Sequence, residues 1–225
     1  MPTQLTLGID DAGRGPVIGP MVLAGCLLDE ATETELRRLG VRDSKQLTPK
    51  RRAFLEKIIR EKAEAFEIEV INPVDIDGQG KKGINLNQVE AIMCSKIIDK
   101  INKGYKKIKV VIDCPSTNIN AWRDYVKMNI GNLSNLDVIC EHKADQNHVS
   151  VSAASILAKE ERERRMSKLK KKFGEEIGSG YPSDPTTTKF LEKNIIKHDK
   201  SGLFRKSWKT WQNAAAKTKQ KKLEF

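Results

Sequence analysis

Residues 5–16 read LTLGIDDAGRGP, an apolar segment that runs into two adjacent carboxylates and then into a glycine-rich turn. The apolar residues up to Ile9 are typical of a strand, and the glycines and proline that follow are typical of a tight turn. Residues 17–28 are rich in Val, Ile, Leu and small residues, which favours a second strand. We therefore predict that a hairpin opens the fold and that its first strand runs out at Asp10-Asp11.

Strand and helix patterns alternate after this hairpin. Thr48-Pro49 is a good helix start, because a capping residue precedes a proline at the first helical position. Apolar periodicity predicts strands at 67–71, 109–113 and 136–140, and helices at 49–66, 87–103, 121–128, 146–165, 186–196 and 203–211, followed by a frayed tail. This order predicts a mixed α/β sheet.

The composition is that of a globular protein, with 225 residues, 38% hydrophobic and 32% charged. This length favours one substantial core with an appended element. No apolar run is long enough to span a membrane, and the N-terminus does not resemble a signal peptide, so we expect a cytoplasmic protein, or a nuclear one in a eukaryote. We also expect a monomer. The four cysteines are too far apart for a zinc ribbon or a redox pair and should be reduced, buried thiols.

Positive charge is concentrated in the last third of the chain. Residues 1–158 contain 22 Lys and Arg against 21 Asp and Glu, whereas residues 159–225 contain 19 against 9. Such segregation favours a polyanionic partner, although a solvated lysine-rich surface would give the same count.

Four aspartates are placed where they could meet at one edge of the sheet. Asp10 and Asp11 follow the first strand, Asp113 ends the strand at 109–113, and Asp145 comes just after the next. Taken singly, each aspartate is more often a turn or cap residue. Carboxylates at strand ends can nevertheless hold two Mg²⁺ or Mn²⁺ ions, which hydrolysis of a phosphodiester uses.

These acids lie within longer strings that occur in a recognisable order. The strings are GIDDAGRGPVIGP at 8–20, DSKQL at 43–47, VID at 111–113, HKAD at 142–145, VSAASILAK at 151–159 and GSGYPSD at 178–184. Together they resemble the motifs of type 2 ribonucleases H, ribonuclease HII, of the archaeal type. The resemblance spans most of the chain.

This resemblance implies a ribonuclease H-like fold, a mixed five-stranded sheet flanked by helices with a C-terminal helical extension. We expect a catalytic domain at 1–165, a substrate-binding extension at 166–215 and a flexible basic tail at 216–225. The implied activity is two-metal hydrolysis on the 5′ side of ribonucleotides in RNA/DNA hybrids and in duplex DNA, leaving 3′-hydroxyl and 5′-phosphate ends. The implied metal-binding and catalytic residues are Asp10, Asp11, Asp113 and Asp145.

The second acid is a departure from the family, which normally has Glu where this chain has Asp11. Because neighbouring residues on a strand point to opposite faces, both acids can serve one site only if the backbone leaves regular pleating there. Asp is also one methylene shorter than Glu. We therefore expect activity that is retained but altered.

Substrate recognition is implied for the turn formed by Gly13, Arg14 and Gly15. Without the resemblance, the Gly-Arg-Gly pattern is equally typical of an ordinary turn and of an anion-binding nest. The resemblance implies that its backbone senses the ribose 2′-hydroxyl and that Tyr181 stacks on the next sugar, whereas Tyr181 alone would read as a loop aromatic packed over the core.

Further candidates are weaker. Lys45, Asn85 and Lys143 are candidate phosphate contacts or surface residues, as are Ser152 and Lys159. We expect His142 and His148 to support the fold, and His198 to face solvent. Trp208 and Trp211 lie in a basic run and could line a nucleic-acid groove or pack on the domain. Gln220, Leu223 and Phe225 resemble a shortened sliding-clamp-binding motif, with a disordered basic end as the alternative.

Two other functions fit part of the sequence. A nuclease or resolvase for branched DNA could use the same acids but gives no reason for the Gly-Arg-Gly turn. A non-catalytic RNA- or hybrid-binding protein is compatible with the shortened acid at Asp11.

Overall fold

A computed structural model of the chain describes residues 4–42 and 44–223, without the side chains of Lys45 and of residues 221–223. Its strands are β1 (Leu5–Ala12), β2 (Met21–Asp29), β3 (Ala65–Ile71), β4 (Ile108–Asp113) and β5 (Leu136–Glu141). They form one sheet in the order β3-β2-β1-β4-β5. β1 is antiparallel to β2 and parallel to β4, and β4 is parallel to β5. The prediction of a mixed five-stranded α/β sheet is confirmed.

The opening hairpin differs from the prediction at both of its inner ends. β1 continues past the two acids, and its ladder with β2 is unbroken up to the pair Ala12 and Val22. β2 begins at Met21, so residues 17–20 do not belong to it. The expected departure from regular pleating at Asp10-Asp11 is therefore wrong for this ladder. What ends beside the acids is the parallel ladder with β4, whose last pair is Ile9 and Ile112.

Helices precede, separate and follow the later strands along the chain. Their bounds are α1 (Glu30–Arg38), α2 (Pro49–Lys62), α3 (Pro73–Lys81), α4 (Leu86–Ile101), α5 (Ile119–Met128), α6 (Ala144–Asn147), α7 (Val149–Phe173), α8 (Pro185–Asn194) and α9 (Lys209–Leu223). Thr48 caps α2, as predicted, by accepting from the Arg51 amide.

The helix predictions were wrong at several places. The helix predicted at 49–66 ends at Lys62, and Phe66 lies in β3. α1 and α3 were not anticipated, because α1 is largely charged and α3 contains two glycines. The single helix predicted at 146–165 is divided at His148 into α6 and α7, and α7 extends to Phe173. Residues 203–208 are not helical, whereas the supposed frayed tail is helical from Lys209 to Leu223.

Residue contacts divide the chain into two compact units. The first takes its described residues from Met1–Ala12, Val22–Glu69 and Leu86–Glu161, and the second from Gly13–Met21, Val70–Asn85 and Arg162–Phe225. The last segment of the second unit thus begins at Arg162, four residues before the extension expected at 166. It also includes two earlier segments that sequence analysis assigned to the catalytic domain.

Two glycines let helices pack closely on the sheet of the first unit. A Cβ on Gly8 would lie 2.1 Å from the backbone carbon of Ser150, at the start of α7. A Cβ on Gly25 would lie 2.4 Å from Ile97 in α4. Because real Cβ atoms do not approach this closely, only glycine allows α7 to contact β1 and α4 to contact β2 in this way.

The second unit has its own apolar core, which joins residues far apart in sequence. Val17 and Ile18 pack with Met166 and with residues of α8, and Phe204 completes the contact. Trp208 and Trp211 pack against the same cluster. Both tryptophans therefore pack on a core that combines Val17 and Ile18, from the catalytic domain expected at 1–165, with residues of the expected extension.

The predictions about the cysteines and about membrane-spanning helices can be compared with the described residues. The cysteines Cys26, Cys94, Cys114 and Cys140 are buried and free, as predicted. Burial raises the pKa of Cys140 to about 12, so this thiol is not a reactive thiolate. Across the described part of the chain, no helix combines the length and apolar character needed to cross a membrane.

Candidate active site

The acids of the first unit lie along the carboxyl-terminal edge of its parallel strands. Ile9 pairs with Ile112, so Asp10 and Asp113 occupy the next positions on β1 and β4. Asp113 in turn pairs with Glu141 at the end of β5, four residues before Asp145. Parallel strands direct their carboxyl ends to one edge, which is why residues more than 100 positions apart converge here.

Asp10 is a buried carboxylate of this edge, with 7% of its surface exposed. Burial raises the pKa of Asp10 well above its ordinary value, and the negative charges of Asp11 and Asp113 raise it further. Asp10, Asp11 and Asp113 line one small cavity together with Glu90 of α4. A cation in this cavity would relieve the repulsion that otherwise favours a proton on Asp10.

Asp145 is held by the turn between β5 and α6. Lys143 adopts a left-handed conformation with φ 58°, which turns the chain into α6 and leaves Asp145 buried. The next amide, that of Ala144, donates to Asp113 Oδ1 at 3.0 Å. Asp113 and the turn that carries Asp145 are therefore joined directly.

Two serines that sequence analysis did not single out support this edge. Ser44 is fully buried, and its hydroxyl lies 2.8 Å from the hydroxyl of Ser155 in α7. Ser155 hydrogen-bonds Asp10, which counteracts part of the rise in its pKa. Both serines lie within the quoted strings at 43–47 and 151–159, so the motifs contained the signal although the individual residues were missed.

The donor set suits a hard divalent cation, because carboxylate oxygens are the ligands that Mg²⁺ and Mn²⁺ prefer. Within the described residues, however, no three His, Cys, Asp or Glu side chains are drawn together into a ready-made metal shell. The buried charge of Asp10 and its acidic neighbours fit a cation chemically. The side chains would have to close around it.

The Gly13-Arg14-Gly15 turn belongs to the second unit and is fixed by the C-terminal part of the chain. The Arg205 guanidinium donates to the carbonyls of Gly13 and Arg14, and the Trp208 indole donates to that of Gly15. Gly13 is buried with φ 84°, and a Cβ there would lie 2.5 Å from Arg162. Gly15 is exposed, so a ligand can approach its backbone.

Tyr181 lies beside this turn. Its ring atoms come within 3.7 Å of the position that a Cβ on Gly15 would occupy, and 37% of Tyr181 is exposed. The buried Arg162 has its guanidinium 5.0 Å from the centre of the Tyr181 ring and donates to the Ser179 carbonyl. The structure thus brings Tyr181 together with the turn that sequence analysis had paired with it.

The remaining candidates are distributed between the units. Lys143 is exposed beside the acids, Asn85 is exposed in the second unit, and the Lys45 side chain is outside the described residues. Ser152 is buried and its hydroxyl donates to the Asp145 carbonyl, so this hydroxyl supports the turn that carries Asp145. Asp43 and the end of the clamp-like motif, the Leu223 side chain and Phe225, also fall outside the described residues, while Gln220 is exposed on α9.

The histidines have structural partners. His142 Nδ1 lies 2.9 Å from the Cys114 carbonyl, and His148 Nε2 lies 2.7 Å from Glu141. His198 does not simply face solvent, because its ring stacks on Phe190 with centroids 6.0 Å apart. Burial lowers the pKa of His198, which favours its neutral form in this packing.

The sequence matches a family described as Ribonuclease HII over residues 7–211. The chain belongs to the ribonuclease HII family. It is therefore a nuclease of the ribonuclease H type, as predicted. Ribonuclease HII from Methanocaldococcus jannaschii is 42% identical over 230 residues, which cover 98% of this chain and 99% of that protein.

Solved structures from archaea agree with this assignment to ribonuclease HII. Ribonuclease H2 from Pyrococcus horikoshii OT3 has a TM-score of 0.84 and 34% identity, covering 95% of this chain and 98% of that one. The ribonuclease HII in the PCNA:RNase HII complex from Archaeoglobus fulgidus has a TM-score of 0.80 and 36% identity, covering 91% and 95%. The predicted ribonuclease H-like fold is confirmed.

Proposed function

We propose that this ribonuclease HII cleaves the phosphodiester on the 5′ side of ribonucleotides in RNA/DNA hybrids and of single ribonucleotides in duplex DNA. The products are 3′-hydroxyl and 5′-phosphate ends. The observation that carries the proposal is the convergence of Asp10, Asp11 and Asp113 around one cavity, with buried Asp145 on the adjoining turn. We further propose that the first unit carries the chemistry and that the second recognises the ribonucleotide.

In this proposal the four acids hold two Mg²⁺ or Mn²⁺ ions. Such ions, when bound, supply an activated water and positive charge for the attacking and leaving oxygens. Asp10 and Asp113 anchor the site because their strands fix them side by side, while Asp11 and Asp145 complete it. Ser155 keeps the Asp10 carboxylate oriented, and the Ala144 amide does the same for Asp113.

Recognition in this proposal uses the backbone of Gly13, Arg14 and Gly15 and the ring of Tyr181. A 2′-hydroxyl both donates and accepts, so main-chain N–H and C=O groups can distinguish it from hydrogen. Gly15 admits a sugar to the backbone because it has no side chain, and the adjacent Tyr181 ring offers a surface on which the next sugar can stack. Lys45, Asn85 and Lys143 are proposed phosphate contacts.

The decisive experiment uses a DNA duplex with one embedded ribonucleotide, incubated with Mg²⁺ or Mn²⁺. Wild type should incise on the 5′ side of the ribonucleotide, and Asp113→Asn should lower the rate at least about 100-fold. Asp137→Asn is the matched control, because Asp137 is an exposed aspartate at the opposite end of β5. It should retain the wild-type rate.

A second readout does not depend on catalysis. Mn²⁺ should raise the unfolding temperature of wild type and of Asp137→Asn, but raise that of Asp113→Asn much less, because a ligand stabilises only the form that binds it. No incision by wild type, or undiminished incision by Asp113→Asn, would refute the proposal. Cleavage of a four-way junction instead would support a branched-DNA nuclease, and hybrid binding without cleavage would support a binding protein.

We also propose that the chain contacts a sliding clamp through Gln220, Leu223 and Phe225. The relative from Archaeoglobus fulgidus was solved in complex with PCNA, and a Gln, an apolar residue three positions later and an aromatic residue could dock by a few anchors. Removing residues 220–225 should abolish co-elution with the clamp while incision of a short duplex is unchanged. Co-elution of the truncated chain would refute this contact.

A further inference from the structure

Arg205 is a fully buried cation whose partners are the carbonyls of the glycine-rich turn. Its guanidinium donates to the carbonyl of Gly13 at 2.6 Å, to that of Arg14 at 2.7 Å and to that of Gly19 at 3.0 Å. A charged group is buried only where hydrogen bonds replace its water. The carbonyls of this turn therefore stabilise the buried charge of Arg205, and Arg205 in turn fixes the direction of these carbonyls.

Trp208 completes the same contact three residues later. Its indole N–H donates to the Gly15 carbonyl at 3.1 Å, and its ring lies under the Arg205 guanidinium, 4.9 Å from ring centre to Cζ. The Arg205 amide also donates to the Val17 carbonyl at 2.9 Å. All three carbonyls of the Gly13-Arg14-Gly15 turn thus accept from one short segment near the C-terminal end.

Fixing a carbonyl also fixes the amide that shares its peptide plane. Because the peptide group is planar, the Gly13 carbonyl sets the direction of the Arg14 N–H, and the Arg14 carbonyl sets that of the Gly15 N–H. These are backbone donors of the turn to which the proposed function assigns ribose sensing. A preoriented donor discriminates better than a mobile one, since no ordering is needed on binding.

We infer that Arg205 and Trp208 are positioning residues for ribonucleotide selection, acting through the Gly13-Arg14-Gly15 backbone without touching the substrate. The inference rests on the proposed function of that turn. It assigns a specificity role to the non-helical segment at 205–208, where sequence analysis predicted a helix and considered Trp208 as a groove-lining or packing residue.

Trp208→Phe provides the sharpest test, because it keeps an aromatic ring for Arg205 and removes the N–H that reaches Gly15. The accompanying loss of ring area is shared by the control variant. Trp211→Phe is the matched control: Trp211 packs against the same apolar core, and no hydrogen-bond partner is found for its buried indole nitrogen among the described residues. Arg205→Lys is the stronger variant, since one ammonium cannot reproduce the planar fork that bonds three carbonyls.

Two measured quantities distinguish a positioning role from a general loss of duplex affinity. The first is kcat/KM on a duplex with one ribonucleotide, and the second is the inhibition constant of the identical all-deoxy duplex used as competitor. Trp208→Phe should lower kcat/KM about five-fold, the value of one neutral hydrogen bond, with an unchanged inhibition constant. Arg205→Lys should lower kcat/KM further, and Trp211→Phe should change neither quantity.

The outcomes distinguish this inference from the proposed function. If wild type does not incise the duplex, the proposed function fails first. If wild type incises and folded Trp208→Phe keeps its kcat/KM, the positioning role is wrong. It is equally wrong if kcat/KM and competitor binding weaken by the same factor, because that reports a general loss of duplex affinity. Should Arg205→Lys fail to fold, Trp208→Phe still decides the question.

Discussion

Asp11 is the acid at which sequence analysis expected a departure from the family, whose second acid is normally Glu. It lies on a regular part of β1, paired with Leu23, and lines the same cavity as Asp10 and Asp113. Its negative charge is close enough to raise the pKa of Asp10. The shorter side chain therefore still contributes charge to the cavity, although its carboxylate lies one methylene nearer to the strand than that of Glu.

Asp11→Glu should change the metal dependence of incision. Metal sites respond to ligand shifts of about 0.5 Å, so the longer side chain should shift the half-saturating concentration of Mg²⁺ relative to that of Mn²⁺ several-fold. Metal titrations of both proteins measure this ratio. Asp124→Glu, an exposed change on α5, is the control. Superimposable titration curves for Asp11→Glu and wild type would deny Asp11 any special role.

Gly13 is required for two separable reasons, its positive φ and the lack of space around it. A Cβ would lie 2.5 Å from Arg162 and 2.9 Å from the Pro20 carbonyl. Gly83 has a similar φ of 79° but nothing within 4 Å of the corresponding position. The two glycines therefore form a natural pair for comparison.

Gly13→Ala should lower the free energy of unfolding by about 2–4 kcal/mol, and Gly83→Ala by only about 1 kcal/mol, because the latter suffers strain without a clash. Urea unfolding measures both values. Incision should fall for Gly13→Ala alone. Equal losses of stability in the two variants would show that Arg162 and the Pro20 segment yield easily to a methyl group.

At the scale of elements, α8 holds the loop that presents Tyr181. Asp184 caps this helix by accepting from the Thr186 amide, and its other oxygen accepts from the amide and hydroxyl of Ser179. These hydrogen bonds from Ser179 hold the pKa of Asp184 well below its ordinary value. The ionised carboxylate thus ties both ends of the loop together.

Asp184→Asn should destabilise the protein by about 1–2 kcal/mol at pH 7, because an amide nitrogen cannot accept from Ser179. A carboxyl whose pKa is lowered on folding stabilises above its ordinary pKa of about 4 and loses that effect as the pH falls below it. The difference from wild type should therefore shrink in acid, as measured by urea unfolding. Asp75→Asn, at an exposed position of α3, should show no such trend. A constant difference down to pH 2 would contradict this account.

The elements also show where local patterns fail. The composition of residues 17–28 predicted one strand, yet Val17 and Ile18 pack with Phe204 and Met166 instead. Apolar residues buried in a core of the second unit have the same composition as those buried in a sheet. Residues 203–208 were likewise predicted as helix, but the Arg205 guanidinium donates to the carbonyls of Gly13 and Gly19, and the Lys206 amide donates to Asp77 instead of to a helical partner.

At the scale of the whole molecule, the boundary of the basic segment can be compared with the boundaries of the two units. The basic excess begins at residue 159, near the Arg162 boundary of the second unit, so most of it belongs to that unit. The second unit also takes in Gly13–Met21 and Val70–Asn85. The second unit therefore combines the basic C-terminal segment with the Gly13-Arg14-Gly15 turn and with Asn85, both of which lie far earlier in the sequence.

The sequence by itself determined the alternation of elements, the four acids and the family, because periodicity and motif strings are local and ordered along the chain. Only the tertiary structure showed that Ser44 supports Asp10 through Ser155, 111 positions away, and that Arg205 holds the Arg14 carbonyl across 191 positions. Such contacts depend on which surfaces pack together. The sequence does not distinguish a buried arginine from an exposed one, because burial depends on which other residues pack around the side chain in the folded protein.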